Sequence, residues 1–357
     1  MNYMDSLTHA LTGAVIGKAI EDEKIKPWGT IAGIATGLFP DSDFVLGLIN
    51  RQFYLQYHRD FTHSLILIPF YAFFFSWLFE KVSKRPHFWS FFKISLLVLM
   101  SHVLLDLFTS YGTMVFSPVS EHRYALDLTF IVDLIFSGIL LLPWVLSFFW
   151  RKRATWFCRG SLVALTLYVL LCGVEHHRAI SVTKQFAASL HEEVIQVASL
   201  PQPLSPFRWA NYVETKVLVY QGFVDLLARG SPLPRHPPAE ADLDGSGFFG
   251  RFRRWKLMEG LYHPASSVRY SSYQKNDGSP WVKRAMATEG AEFYYWFARF
   301  PVAKEVASNN GTHRVEFMDV RFFLPGIRMP FLYYVELDHS GKIHSEGFMR
   351  DEKGESR

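Results

Sequence analysis

Apolar residues run in long blocks as far as Val174 and then give way to a shorter, alternating pattern. Four blocks approach the about 20 residues a helix needs to cross a bilayer's hydrocarbon core: Ser64 to Phe79, Phe91 to Phe108, Thr129 to Trp150 and Phe157 to Val174. Two weaker blocks precede them. Leu7 to Ile20 is short enough to be re-entrant, and Thr30 to Ile49 carries Pro40-Asp41-Ser42-Asp43 near its end. Gly13, Gly17, Gly29, Gly33 and Gly37 would let helices approach closely. The pattern predicts an α-helical membrane bundle of about five to six segments over residues 1–175, followed by a soluble α+β domain over residues 176–357. In that second domain Val182, Phe186, Leu190, Val194 and Val197 are near helical spacing, which predicts an amphipathic helix from Thr183 to Ala198. Beyond Pro206, Tyr212 to Val219, Phe293 to Phe300 and His313 to Phe323 read as strands. Phe331 to Leu337 and Lys342 to Phe348 read as a hairpin across Asp338-His339-Ser340-Gly341, giving an antiparallel sheet. Ser231 to Gly247, with its prolines, glycines and aspartates, reads as a surface loop.

Basic residues orient the segments. Lys18, Lys24 and Lys26, then Lys81, Lys84, Arg85 and Lys93, then Arg151, Lys152, Arg153 and Arg159 fill alternate connections, which the positive-inside rule makes cytoplasmic. The N-terminus, the connections Asn50 to Thr62 and Thr109 to Leu128, and everything after Val174 then fall on the opposite, exoplasmic side of a multi-pass membrane protein. Composition changes this picture little. A mean hydropathy of +0.08 averages two unlike halves, and a net charge of +4 without a basic, aromatic-interleaved stripe excludes nucleic acid as a partner. Cys158 and Cys172 supply no disulfide framework.

Against this background the ionisable residues stand out. His102 and Asp106 lie four apart inside an apolar block, so a helix points both the same way at membrane depth, where a charge needs a partner or a function. His9, Asp41, Asp43, His58, His63 and Asp133 all lie near ends of apolar blocks, and the topology brings those ends to one membrane face. Carboxylates spaced by one residue after Pro40 can supply oxygen ligands. His58-Arg59-Asp60-Phe61-Thr62-His63 offers two imidazoles, a carboxylate, and a guanidinium that can fork onto a phosphate.

The stretches Asp5-Ser6-Leu7-Thr8-His9-Ala10-Leu11-Thr12-Gly13, Phe39-Pro40-Asp41-Ser42-Asp43, His58-Arg59 with Thr62-His63-Ser64, and His102-Val103-Leu104-Leu105-Asp106 with Thr109-Ser110-Tyr111-Gly112-Thr113 resemble the bacterial inner-membrane proteins grouped as membrane-bound metal-dependent hydrolases. The resemblance implies metal ligands at His9, Asp41, Asp43, His63, His102 and Asp106. His58 and Arg59 match its motif as well, while Asp60 stands where a small residue is expected.

The expected function is metal-assisted hydrolysis. One or two divalent ions, zinc before manganese or iron because of the imidazole share, would acidify a water from a pKa of about 15.7 towards about 7. Asp60 or Asp133 would take its proton, and Arg59 would receive an anionic, lipid-like phosphoester substrate at the bilayer surface. The competing readings are a metal-binding transporter, which would place ligands on both sides of the membrane midplane, and a non-catalytic envelope protein.

Overall fold

The computed structural model describes residues 3–20, 23–229, 259–276, 278–306, 312–323 and 329–349. The predicted surface loop Ser231 to Gly247 lies outside them. The chain divides into two compact units, one of residues 1–177 with 200–206 and one of residues 178–199 with 207–357.

The first unit is helical. α1 (Tyr3–Ile20) and α2 (Trp28–Leu38) lie against each other along their glycines. A Cβ on Gly33 would stand 2.0 Å from the Gly13 carbonyl oxygen, one on Gly13 2.1 Å from the Gly33 carbonyl, and one on Gly37 2.7 Å from the His9 carbonyl. Only glycine permits this approach. α2 ends where Pro40 removes a backbone donor. The chain bends by 43° into a 3₁₀ segment, Pro40–Leu48, opened by the Ser42 N–H donating to the Phe39 carbonyl. α3 (Arg51–Tyr57) is capped by the Asn50 side chain, which accepts from Phe53 N at 2.7 Å. After a 3₁₀ turn at Phe61–His63 the chain bends again, by 73°, into α4 (Ile68–Ser83). α5 (Phe88–Phe108), α6 (Leu134–Phe149) and α7 (Ala154–Ser189) complete the unit, and α7 continues into the second. Asp133 caps α6, accepting from Ile135 N and Phe136 N.

Among the described residues, α5 and the span Arg151–Ser189 are long and apolar enough to cross a membrane alone, and up to four spans result if each bent pair is one. The breaks thus fall in the second and third apolar blocks, whereas α1, read as the re-entrant candidate, is one continuous helix. Apolar clusters seal the helices together: Ile16, Ala32, Phe75, Phe91, Ile94 and Val98 in one, Leu11, Val15, Phe136, Leu140, Cys158 and Leu165 in another. Both cysteines are buried and unbridged.

The second unit contains antiparallel sheets. β1 (Val194–Pro201), β2 (Arg208–Thr215) and β3 (Leu218–Asp225) stand in that order, with the short β4 (His263–Pro264) and β5 (Tyr270–Gln274) both on β3. The other sheet runs β6 (Pro301–Val306), β7 (His313–Asp319), β8 (Tyr333–Leu337) and β9 (Ile343–Phe348), antiparallel throughout. The β8–β9 hairpin forms at the expected turn, where Asp338 accepts from Ser340 and Lys342 and is held below the usual carboxylate range chiefly by the Ser340 hydroxyl.

Three expected elements differ. The helix expected over Thr183 to Ala198 stops at Ser189, because the β-branched Val194, Ile195 and Val197 enter β1. Tyr212 to Val219 is two strands, since the Thr215 hydroxyl accepts from Val217 N and Leu218 N and turns the chain. Phe293 to Phe300 is mostly the end of a helix rather than a strand: α8 (Pro280–Ala285) is followed by α9 (Glu289–Phe297). Thr288 caps α9, Glu289 and Glu292 sit at its positive end, and Ala291, Tyr294 and Phe297 bury one face at helical spacing. Tyr294 meets Phe317 and Tyr333 in the core of that sheet.

Candidate metal centre

Two chain breaks, one glycine seam and one regular helix build the site. α5 places His102 and Asp106 one turn apart, both fully buried. The α2 break brings in Asp41 and Asp43, the turn before α4 brings in His63, and the glycine seam presses α1 against α2 so that His9 reaches the same point. The His9 ring stacks on His102 at 3.7 Å, and its Nε2 stands 3.3 Å from Asp106 Oδ1. His63 Nε2 lies 2.9 Å from Asp106 Oδ2 and 3.2 Å from His102 Nε2, which is itself 3.4 Å from Asp106 Oδ2 and 3.7 Å from Asp41 Oδ1. Two overlapping triads result, His9-Asp41-His102 and His63-His102-Asp106.

The other ring nitrogens decide which atoms face inward. His102 Nδ1 lies 2.8 Å from the Gly37 carbonyl, which can only accept, so Nδ1 carries the proton and Nε2 presents a lone pair. The Thr62 hydroxyl lies 3.3 Å from Asp43 Oδ2 and 2.9 Å from His63 Nδ1; in the tautomer in which it donates to Asp43 it accepts from His63 Nδ1 and leaves Nε2 as the lone pair. In that tautomer two imidazole lone pairs and a carboxylate oxygen converge within 2.9–3.4 Å. A shared cation would relieve their repulsion. At zinc–nitrogen lengths of about 2.0–2.1 Å, ligands at the corners of a tetrahedron stand about 3.3–3.4 Å apart, and the observed separations bracket that value. Metal-bound histidines commonly pass their second N–H to a carbonyl or carboxylate relay, as both do here.

Behind these ligands stands a second layer. Asp43 accepts from the Arg59 backbone N–H at 2.9 Å, lies 2.9 Å from His58 Nδ1, and has an oxygen 3.7 Å from His63 Nδ1. Asp43 and His58, expected as ligands, meet each other and the Arg59 backbone and join neither triad. Arg59, expected to face substrate, is turned inward and only 2% exposed. Its Nη2 meets Asp106 Oδ1 at 2.7 Å, and its Nη1 donates to Thr109 Oγ1 at 2.9 Å. Its backbone is left-handed (φ 63°), pinned by Asp43 on its N–H and by Met114 N on its carbonyl.

Asp60 is buried and hydrogen-bonded to Ser117, with Arg123, Glu121 and Asp43 as its charged neighbours, and joins neither triad. Asp133 caps α6 and accepts from Tyr168 Oη at 2.6 Å, but it also lines, with His9, Thr8, Thr109 and apolar walls, a cavity of about 20 Å³ that suits one water. Arg123 escaped the sequence reading. Its guanidinium donates to the Leu55 carbonyl at 2.6 Å at the end of α3, and it shares the Tyr111 ring with Arg59, at 5.5 and 5.2 Å. The available signal was an arginine on the side that the positive-inside rule leaves poor in basic residues.

Among the described residues, helices apolar enough to cross a membrane carry a buried His/Asp cluster at their breaks. Residues 4–179 match the family described as YdjM inner membrane protein, which supports placing the chain among inner-membrane proteins. A protein of Bacillus subtilis strain 168, described as uncharacterized protein YfhP, is 28% identical over 235 residues, covering 61% of this chain and 68% of that protein. No solved structure matches the chain.

Proposed function

We propose that this chain is a membrane-embedded, metal-dependent hydrolase acting on a phosphoester or another lipid-like substrate. The convergence of His63 Nε2, His102 Nε2 and Asp106 Oδ2 carries this reading, with His9 and Asp41 completing the shell. Because His102 has a single free nitrogen and serves both triads, the donors suit one ion in place of two. Two or three imidazoles with carboxylates favour zinc ahead of manganese or iron. A divalent cation held there would acidify a water towards neutral pH. Asp106 supplies negative charge to the centre, Arg59 fixes that carboxylate, and Asp43 with Thr62 and Gly37 sets the histidine tautomers. Asp133 lines the cavity beside His9, which favours it over Asp60 as the group that would take a proton. Arg59 is a positioning residue, so a preference for phosphoesters would have to come from the centre itself.

The basic-residue pattern orients the cluster and the C-terminal unit towards the periplasm. A transporter would spread ligands along a path, and these gather at one point. Elemental analysis of purified protein should find about one divalent ion per chain, lost in His63→Ala and His102→Ala. Equal metal in all three would remove the centre.

A further inference from the structure

The side chains on the outer rim of the cluster are those of a lipid-facing surface. On the 3₁₀ segment Pro40–Leu48, Asp43 is buried and Asp41 mostly so, while Phe44, Val45 and Leu48 point out, Leu48 at 85% exposure. The apolar face continues through Ile49 and ends at the exposed Asn50, Arg51 and Gln52. The loop after α5 repeats the sequence of events. Phe116 and Val119 are exposed, Val119 at 81%, and polarity returns at Glu121 and His122. Two segments from different parts of the chain therefore change from apolar to polar just beyond the cluster.

What covers this rim follows from its neighbours. The Pro40–Leu48 segment and α2 are together apolar enough to form one bent span. On α5, which is long enough to span alone, Leu104 lies between His102 and Asp106 in sequence and is exposed on the outside at the depth of the site. Lipid covers Leu104 if α5 crosses the bilayer, and the rim continues the same kind of surface. The cavity beside His9 has Leu105, Phe130, Ile131 and Phe136 as walls, and Leu134, next to its lining residue Asp133, is exposed. An aqueous surface would not concentrate apolar side chains in this way.

We propose that the cluster lies within one leaflet, its rim bearing on lipid, and that the cavity beside His9 opens sideways to the bilayer. The ligand class that this rim presents to the cluster is a membrane amphiphile with its polar linkage at the level of Asp106, while the cavity itself has room for about one water. The substrate class rests on the hydrolase reading; the lipid seating does not.

The test uses the full chain reconstituted in phosphatidylcholine–phosphatidylglycerol vesicles, with single cysteines replacing Leu48, Val119, Leu134 and, as the aqueous control, Glu121. Each is labelled with bimane. The native Cys158 and Cys172 are buried, so labelled wild type sets the background. Nitroxide-bearing phospholipids should quench positions 48, 119 and 134 at least threefold more than aqueous iodide does, with the order reversed at position 121. Iodide dominating at positions 48 and 119 would overturn the seating, and iodide dominating at 134 alone would overturn the sideways opening. Metal content measured on the same samples reports the centre independently.

Discussion

Gly33→Ala should weaken metal binding at the proposed centre although Gly33 supplies no ligand atom. The added methyl would lie 2.0 Å from the Gly13 carbonyl oxygen, against about 3.3–3.6 Å for an ordinary carbon–oxygen contact. Backbone cannot swing aside as a side chain can, so α1 and α2 must part by about 1.3 Å or more. Overpacking of this kind costs about 1–3 kcal/mol. The larger effect is on position, because His9 rides on α1 while the Gly37 carbonyl that orients His102 rides on α2. A displacement of this size takes His9 Nε2 from 3.3 Å to well beyond 4 Å from Asp106 and separates the His9–His102 stack. Losing one well-placed ligand or its support lowers metal affinity about 10–100-fold, the effect seen for outer-shell partners. Chelator competition with purified protein in detergent measures this directly. Gly138→Ala and Gly160→Ala, whose methyls would meet nothing within 4 Å, should bind metal like wild type. Wild-type affinity in a folded Gly33→Ala protein would refute the claim that the glycine seam places His9.

Arg59→Lys should keep a cation near Asp106 but lose the second donation, to Thr109, and so weaken metal binding by about 1.5–3 kcal/mol, roughly 10–100-fold. Unchanged affinity with lost turnover would instead return Arg59 to the substrate. Reporter fusions after Lys84 and Arg153 should read cytoplasmic and one after Val174 periplasmic; disagreement between the first two would break the helix count behind the proposed orientation.

The i to i+4 pair on α5 was legible because a regular helix converts spacing into direction, and it was unexpected enough inside an apolar block to be noticed. The meeting of His9, Asp41 and His63 with it could be suspected only from block ends. Their convergence depends on glycine contacts and chain breaks that have no fixed period. Arg59 was misread for a related reason: a guanidinium in a polar loop looks available, and only the fold shows it turned onto Asp106. In the sheet unit, aromatic residues from Phe293 favoured strand by propensity, but the cap at Thr288 and the spacing of Ala291, Tyr294 and Phe297 made a helix. The β8–β9 hairpin was readable because its turn chemistry is local.

Asp106 and its surroundings also set a limit by charge alone. With His58, the partner of Asp43, counted as neutral, Asp41, Asp43 and Asp106 bring three formal negative charges to the cluster, Arg59 returns one positive charge, and His9, His63 and His102, neutral if they hold a cation, add none. The remainder is two negative charges, which one divalent cation cancels. A monovalent ion would leave an uncompensated charge among residues that are almost wholly buried, and a second divalent ion would reverse the imbalance; both are costly away from water. Stoichiometry and valence would then be selected by electroneutrality as much as by ligand geometry, and sodium or potassium would be rejected however abundant they are.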